Sequence, residues 1–291
     1  MHIIDDMDEL IKLPSFIYLY KDIENLSRLT RLKLFFKGVY FIYVFKYTTK
    51  SLFCFFCNLI YSKNGKLNYQ QGEYFKQLEN RTIYYPNKRI HRVMVDHKKH
   101  FNQLFETYLL EKITFKNNDI VIDCGANVGE LFYSFEYKNL EISYIGFEPD
   151  KDVYKSLSKN IKTGQIVNKA LGESNSVKNL YIDSEGANTS LINFGSNTEY
   201  EVESITLDSL NLEKIKLFKI DAEGYEPEVL QGAINSLPQI EYISVDYGNE
   251  RGVENKSTVV EVTNFLYNSG FKLIAEGAVR KVGLFQNILT K

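Results

Sequence analysis

One stretch constrains this chain more than any other. A short β-rich run, Asp119-Ile120-Val121-Ile122-Asp123-Cys124, breaks into Gly125-Ala126-Asn127-Val128-Gly129 and passes into a helical pattern that reaches Tyr137. An apolar run with little alternation suits a strand covered on both faces. A glycine turn leading directly into a helix makes it a βα unit. The theme repeats over residues 113–291. Further strands are expected at 143–147, 165–168, 216–221, 241–246, 271–275 and 283–289, and helices over 150–160, from the end of the 216–221 strand through Leu230, and over 259–268, which Gly270 ends. Strands alternating with helices imply an α/β fold with a mainly parallel sheet covered on both sides. A polar stretch, 172–200, holds short strand candidates and a turn at Gly186-Ala187-Asn188.

Upstream the pattern changes. Residues 1–75 read as an aromatic, basic and mainly helical extension, 76–112 as lead-in strands and a helix, and 113–291 as the α/β domain. From Leu26 to Tyr69 there is no Asp or Glu, against eight cations: Arg28, Arg31, Lys33, Lys37, Lys46, Lys50, Lys63 and Lys66. The longest uncharged run there, 51–62, is too short to span a bilayer. Joining it to the preceding apolar run would bury Lys46 and Lys50 at about 2.5–3.5 kcal/mol each. Two expectations stand for residues 26–69: a helical cap whose aromatics pack on a core, or a surface lying on a membrane. A net charge of -2 argues against a nucleic-acid partner. Three cysteines, Cys54, Cys57 and Cys124, do not make a disulfide framework, and the first ten residues are acidic rather than signal-like. A cytoplasmic location is expected, peripheral to the membrane if the second reading of the extension holds. Cys54 and Cys57 lack two further ligands for zinc and are expected to be buried, inert thiols.

The turn carries the chemistry. Ligands of a parallel sheet bind beyond the carboxyl ends of its strands. Gly125 permits a tight bend, Ala126 is small enough for a ligand to lie against the backbone, and Gly129 lets the next helix approach the sheet. Asp123 offers a carboxylate at the mouth of the turn. Glu148, in Phe147-Glu148-Pro149-Asp150, closes the second strand, where an acid accepts hydrogen bonds from ribose hydroxyls. The plainer reading is an ordinary strand-end acid that caps a helix. Dinucleotide sites show G-x-G-x-x-G, whose second glycine admits a pyrophosphate. Here that place is not glycine and no basic residue lies in the turn. A nucleoside ligand without phosphates fits better, and S-adenosylmethionine is such a ligand.

At this point the motifs resemble those of the FkbM family of S-adenosylmethionine-dependent methyltransferases. The matching segments run from Val121 to Glu130, from Phe147 to Asp150, from Asn168 to Gly172, from Ser204 to Leu210, and from Leu217 to Glu226 into Val229-Leu230-Gln231-Gly232-Ala233. The resemblance covers roughly residues 80–290. It implies a Rossmann-like seven-stranded methyltransferase sheet with its last strand antiparallel. It also implies methyl transfer to oxygen, on hydroxyls of sugars, glycans and natural products. By position, Asp123, Gly125, Ala126, Asn127 and Gly129 would hold the methionine portion and Glu148 the ribose. The segment around Asn168, Lys169 and Ala170 would meet the adenine.

A hydroxyl acceptor calls for a general base at the strand ends. Asp221, at the end of its strand, is the first candidate and Glu223, in the following turn, the second. Both suit helix capping as well, as does Glu226. Lys219 reads as a salt-bridge partner. Asp221, Glu223 and Asp246 would suit a hard cation if they converged, although no metal is expected. None of the five prolines are adjacent, so the Pro-Pro-aromatic motif of amide and amine methylation is absent. His97 and His100 are expected in packing or surface roles. The competing expectations are a nicotinamide-dependent oxidoreductase and a non-catalytic membrane- or glycan-binding module with a vestigial cradle.

Overall fold

The computed structural model describes residues 26–78, 80–183, 189–278 and 280–289. The start of the extension and the expected turn at Gly186-Ala187-Asn188 lie outside the described residues. The chain forms two compact units, Met1–His100 and Phe101–Lys291. The boundary expected at residue 75 falls inside a strand of the first.

Among the described residues, the first unit joins two helices to a small meander. Helix α1 (Arg28–Tyr47) begins at Ser27, whose hydroxyl accepts from Thr30 N, and α2 (Lys50–Tyr61) follows after Thr48 and Thr49. Phe41 packs edge-on against Phe53 and Tyr61 between them. The strands β1 (Leu67–Gln70), β2 (Glu73–Gln77) and β3 (Thr82–Tyr85) pair antiparallel in that order. Cys54 and Cys57 lie on the buried side of α2, where burial pushes their thiols up to about 11 and about 12. His91 and His97 are pushed down to about 4, chiefly by burial, and are neutral at neutral pH. Helix α3 (His97–Thr107) leads out of this unit.

The second unit is built on β4 (Ile120–Cys124), α4 (Glu130–Glu136), β5 (Ser143–Phe147), α5 (Lys151–Asn160) and β6 (Gln165–Val167). A side sheet of β7 (Ala170–Leu171), β8 (Ser176–Tyr181) and β9 (Glu199–Ile205) fills the polar stretch. Then come β10 (Ile215–Ile220), α6 (Glu226–Gln231), β11 (Ile240–Asp246), the β12 (Asn249–Arg251) and β13 (Lys256–Ser257) hairpin, α7 (Val259–Asn268), β14 (Phe271–Glu276) and β15 (Val282–Asn287). The main sheet has seven strands in the order β14-β15-β11-β10-β4-β5-β6. Pairing is parallel from β6 through β11, and β15 is antiparallel to both its neighbours. The last strand is thus the reversed one, as the resemblance implies. Chain order reverses at β4, which opens a crevice beyond the carboxyl ends of β4 and β10.

Alternation along the central strands divides the sheet's side chains. Ile122, Cys124, Phe218, Ile220, Ile243 and Val245 enter one buried cluster with Val229 and Leu230 of α6 and Val262 and Leu266 of α7. On the opposite parity, the register sets Asp123, Lys219 and Ser244 side by side. Two ionic groups are therefore forced into the sheet's interior, and burying charge is costly unless it is paired.

Candidate functional site

The end of β4 is joined to the end of β10 before any ligand is considered. Asp221 N donates to Cys124 O, and Lys219 Nζ donates to Cys124 O at 3.0 Å and Gly125 O at 2.9 Å. Gly125 has φ +75°, and a Cβ there would stand 2.0 Å from Asp221 O. What requires glycine at this position is the carbonyl of the neighbouring strand end, not the bend alone. Gly125 N and Ala126 N both donate to Phe147 O, which closes the turn against β5. Gly129, with φ +90°, lies against Ile161 and Leu157. Its missing side chain makes room for the end of α5 rather than for the approach of α4 to the sheet.

Asp123 lies beneath the turn instead of at its mouth. It is 1% exposed, Tyr144 Oη donates to its Oδ2 at 2.6 Å, and Lys219 Nζ sits 2.9 Å from its Oδ1. Tyr144 lies over Gly146, where a Cβ would meet the ring at 2.7 Å, so that glycine makes space for the tyrosine. Burial works against the Lys219 ammonium, but the charges of Asp123, Tyr108 and Asp221 outweigh it and raise its pKa. Lys219 is the salt-bridge partner its sequence position suggested. It also puts a cation directly under a turn that contains none, but one already spent on two carbonyls and a carboxylate.

Glu148 joins the turn after β4 to the end of β5. Its Oε2 accepts from Asn127 N at 2.9 Å and its Oε1 from Asp150 N at 2.9 Å. Each oxygen keeps a second lone pair, which suits a vicinal diol. Burial raises its carboxyl to about 7, against the lowering effect of the two backbone donors. Asn127 holds φ +49° with its own Oδ1 accepting from Val128 N, so the turn is stabilised internally. The Asn168 amide donates to Glu148 O and Pro149 O and fixes the loop that carries the acid. Ala170 is buried in β7, and Lys169 is paired with Glu203 on the surface. Asp150 caps α5 through Asp152 N and Val153 N.

The second half of the crevice holds charge. Asp221 Oδ2 accepts from Tyr108 Oη at 2.5 Å and lies 3.3 Å from Arg280 Nη2. Arg280 Nε also contacts Asp246 Oδ2, and Nη2 lies 4.0 Å from Glu250 Oε1. Carboxylate oxygens of Asp221, Asp246 and Glu250 all fall within 4.8 Å of one another. Two of the three acids imagined as converging do so. Glu250, from the strand after β11, completes the group, and Glu223 is hydrogen-bonded to Glu250 beside it. That spacing suits an oxygen-ligated cation, but the countercharge present is the Arg280 guanidinium. Burial, then the neighbouring charge of Asp221, pushes the Asp246 carboxyl up, and the same causes raise Glu250. Glu223 has φ +50°, and burial followed by Asp221 and Glu250 raises its carboxyl far above the usual range.

Glu226 belongs to the scaffold. Its Oε1 accepts from Ala222 N and Gly224 N and its Oε2 from Thr258 Oγ1, so it holds the loop between Asp221 and α6. Sequence reasoning missed Tyr108, Tyr144, Glu250 and Arg280. Tyr144 had a faint signal, an aromatic two residues before a strand glycine. The other three lie on separate segments with no local pattern.

The sequence model of the methyltransferase FkbM domain matches residues 123–273, just over half of the 291. No curated protein matches the chain. Among solved structures, the methyltransferase FkbM of Methylobacillus flagellatus KT is 14% identical over 67% of this chain and 56% of its own, with a TM-score of 0.43. This chain thus spans little more than half the length of that protein. The precorrin-6y C5,15-methyltransferase of Geobacter metallireducens GS-15 is 11% identical over 62% of this chain and 88% of its own, with a TM-score of 0.38. A SAM-dependent methyltransferase of Aquifex aeolicus is 12% identical over 65% and 97%, with a TM-score of 0.37.

Proposed function

This chain belongs to the FkbM methyltransferase family, and from that premise we propose that it uses S-adenosylmethionine to methylate a hydroxyl, the acceptor being a sugar of a glycan, glycolipid or natural product. The observation that carries this reading is the 2.9 Å bond from Asn127 N to Glu148 Oε2. It brings the small-residue turn and the ribose acid together, in a corner whose one cation is already neutralised from below. Such a corner suits an adenosine without phosphates.

Bound there, S-adenosylmethionine supplies a methyl group already activated on a sulfonium. The chain has to add alignment and a proton acceptor. Asp221 suits the second task. Its side chain is 14% exposed at the end of β10 and is oriented by the Tyr108 hydroxyl and the Arg280 guanidinium. Carboxylates with spare lone pairs accept well from the hydroxyls of a sugar.

The test is calorimetric and chemical. S-adenosylmethionine binds the folded protein, and Glu148→Ala weakens binding about 10- to 100-fold, the worth of hydrogen bonds to a charged acceptor. Labelled S-adenosylmethionine then transfers its methyl group to oxygen in a neutral glycan or glycolipid extract. Absence of binding, or tighter binding of NAD, overturns the cofactor reading. Label recovered on nitrogen or carbon overturns the acceptor reading alone.

A further inference from the structure

Helix α1 carries apolar side chains all the way round its axis. In water such a helix is normally covered on every side, yet α1 is covered on one. Phe35, Gly38, Phe41 and Val44 are buried. On the other side Leu29, Leu32, Phe36, Tyr43 and Tyr47 are 37–66% exposed. At 3.6 residues per turn these five fall within about 60° of arc, opposite the buried set. Helix α2 repeats the arrangement. Phe53, Cys54, Cys57 and Tyr61 are buried, while Leu52, Phe55 and Leu59 are 54–62% exposed along one stripe. The two helices are locked together: Tyr40 Oη donates to Phe56 O at 3.0 Å and Tyr61 Oη to Lys37 O at 2.7 Å.

Cations border the α1 stripe. By the same helical geometry Lys33 lies along one edge and Arg28 and Lys46 along the other, all exposed, and exposed Lys50 opens α2. The first acid after Leu26 is Glu73. Single exposed apolar residues are ordinary. Eight on two packed helices, ordered in stripes and rimmed by one sign of charge, mark an interaction surface.

We propose that the α1–α2 stripes dock in the plane of an anionic phospholipid bilayer, with leucines and aromatics at the acyl boundary and the bordering cations on headgroup phosphates. The chemistry favours this occupant over the others. Among the described residues no helix is long and apolar enough to cross a membrane. A second copy of the same surface would press the cation borders together, which like charge opposes. A nucleic acid would match the cations and leave the stripes in water. An anionic bilayer satisfies the apolar and the basic elements together, as long basic side chains reach outward from an apolar bed.

The experiment is vesicle flotation of the full chain. Phosphatidylglycerol–phosphatidylcholine vesicles should bind at least about ten-fold more strongly than phosphatidylcholine alone, and added salt should weaken the binding. The double variant Phe36→Ser, Phe55→Ser should lose at least about ten-fold with its melting temperature unchanged. Lys33→Ala and Lys46→Ala should each lose about five-fold, the equivalent of about 1 kcal/mol per surface cation. Failure of the unaltered protein to float overturns the proposal, as does equal binding by the apolar double variant. A fall of several degrees in that variant's melting temperature would show the stripes packed within the fold. A dimer in sedimentation velocity that the same variant dissociates would show a second copy as the occupant.

Discussion

At the ends of β4 and β5, polar groups are answered by backbone. Glu148 accepts from Asn127 N and Asp150 N, and Phe147 O accepts from Gly125 N and Ala126 N. At the ends of β10 and β11, charges are answered by other charges. Arg280 stands among Asp221, Asp246 and Glu250, and Glu223 is raised by burial and then by Asp221 and Glu250. The first corner is rigid because backbone bonds fix it at short range, which suits a constant ligand. The second is held by side chains from distant segments. The carboxyl ends of the strands thus carry a backbone-fixed corner beside a charge-fixed one, joined where Asp221 N donates to Cys124 O next to Gly125.

That junction offers the sharpest way to break the comparison. Gly125→Ala forces a side chain into Asp221 O from a left-handed backbone. It should cost about 2–4 kcal/mol in denaturant melts and abolish cofactor binding, disabling both corners together. Retained binding with a normal melt would show the corners to be independent. Asp221→Asn separates them: methyl transfer should fall at least about 100-fold while the calorimetric affinity for S-adenosylmethionine stays unchanged. A parallel loss of affinity would erase the division of labour.

Smaller effects sharpen it. Burial holds the Glu148 carboxyl up at about 7, above its ordinary value. Ribose hydroxyls require the ionised form, so affinity should be flat above about pH 8 and fall about ten-fold per unit below about pH 7. Calorimetry in buffers of different ionisation heat should then register proton release at low pH. A flat profile down to pH 5.5 would remove Glu148 from the contact. Arg280→Gln tests the other corner. Asp246 and Glu250 have raised folded-state pKa values, so their stabilising contribution is present at low pH and is lost as pH rises. Without the guanidinium that loss deepens. The variant should be about 1–2 kcal/mol less stable above pH 8, with a smaller deficit near pH 5, where only the pairing with Asp221 is lost. That figure lies below the value for a fully buried pair because the Arg280 side chain is 37% exposed. A penalty independent of pH would mean that Arg280 merely packs.

Much of the α/β unit was legible, and the reason is local. The run 119–129 encodes a strand and the turn that leads into a helix within eleven contiguous residues. The 143–147, 241–246 and 259–268 elements likewise show apolar runs or helical spacing. Glu148 was legible because a strand end and a fixed offset from Gly129 define its place. The edges of the α/β unit were not. Helix α4 begins at Glu130 rather than Val128, because Gly129 adopts φ +90°. Strand β9 spans Glu199–Ile205, running past the end of the polar stretch 172–200 whose strand candidates had no fixed bounds, because its support comes from β8 and β7.

The amino-acid order by itself determined the chain's family, its strand-and-helix alternation and the turn with its downstream acid, since those are set by neighbours a few residues apart. Only the tertiary structure decided what each charge does. Asp123 faced a possible ligand on paper and is instead buried against Lys219 and Tyr144. Asp221 acquired Tyr108, 113 residues away, and Arg280, 59 residues away. The physical reason is that a carboxylate's role depends on the dielectric and the partners around it, and both come from segments that meet only when the sheet closes.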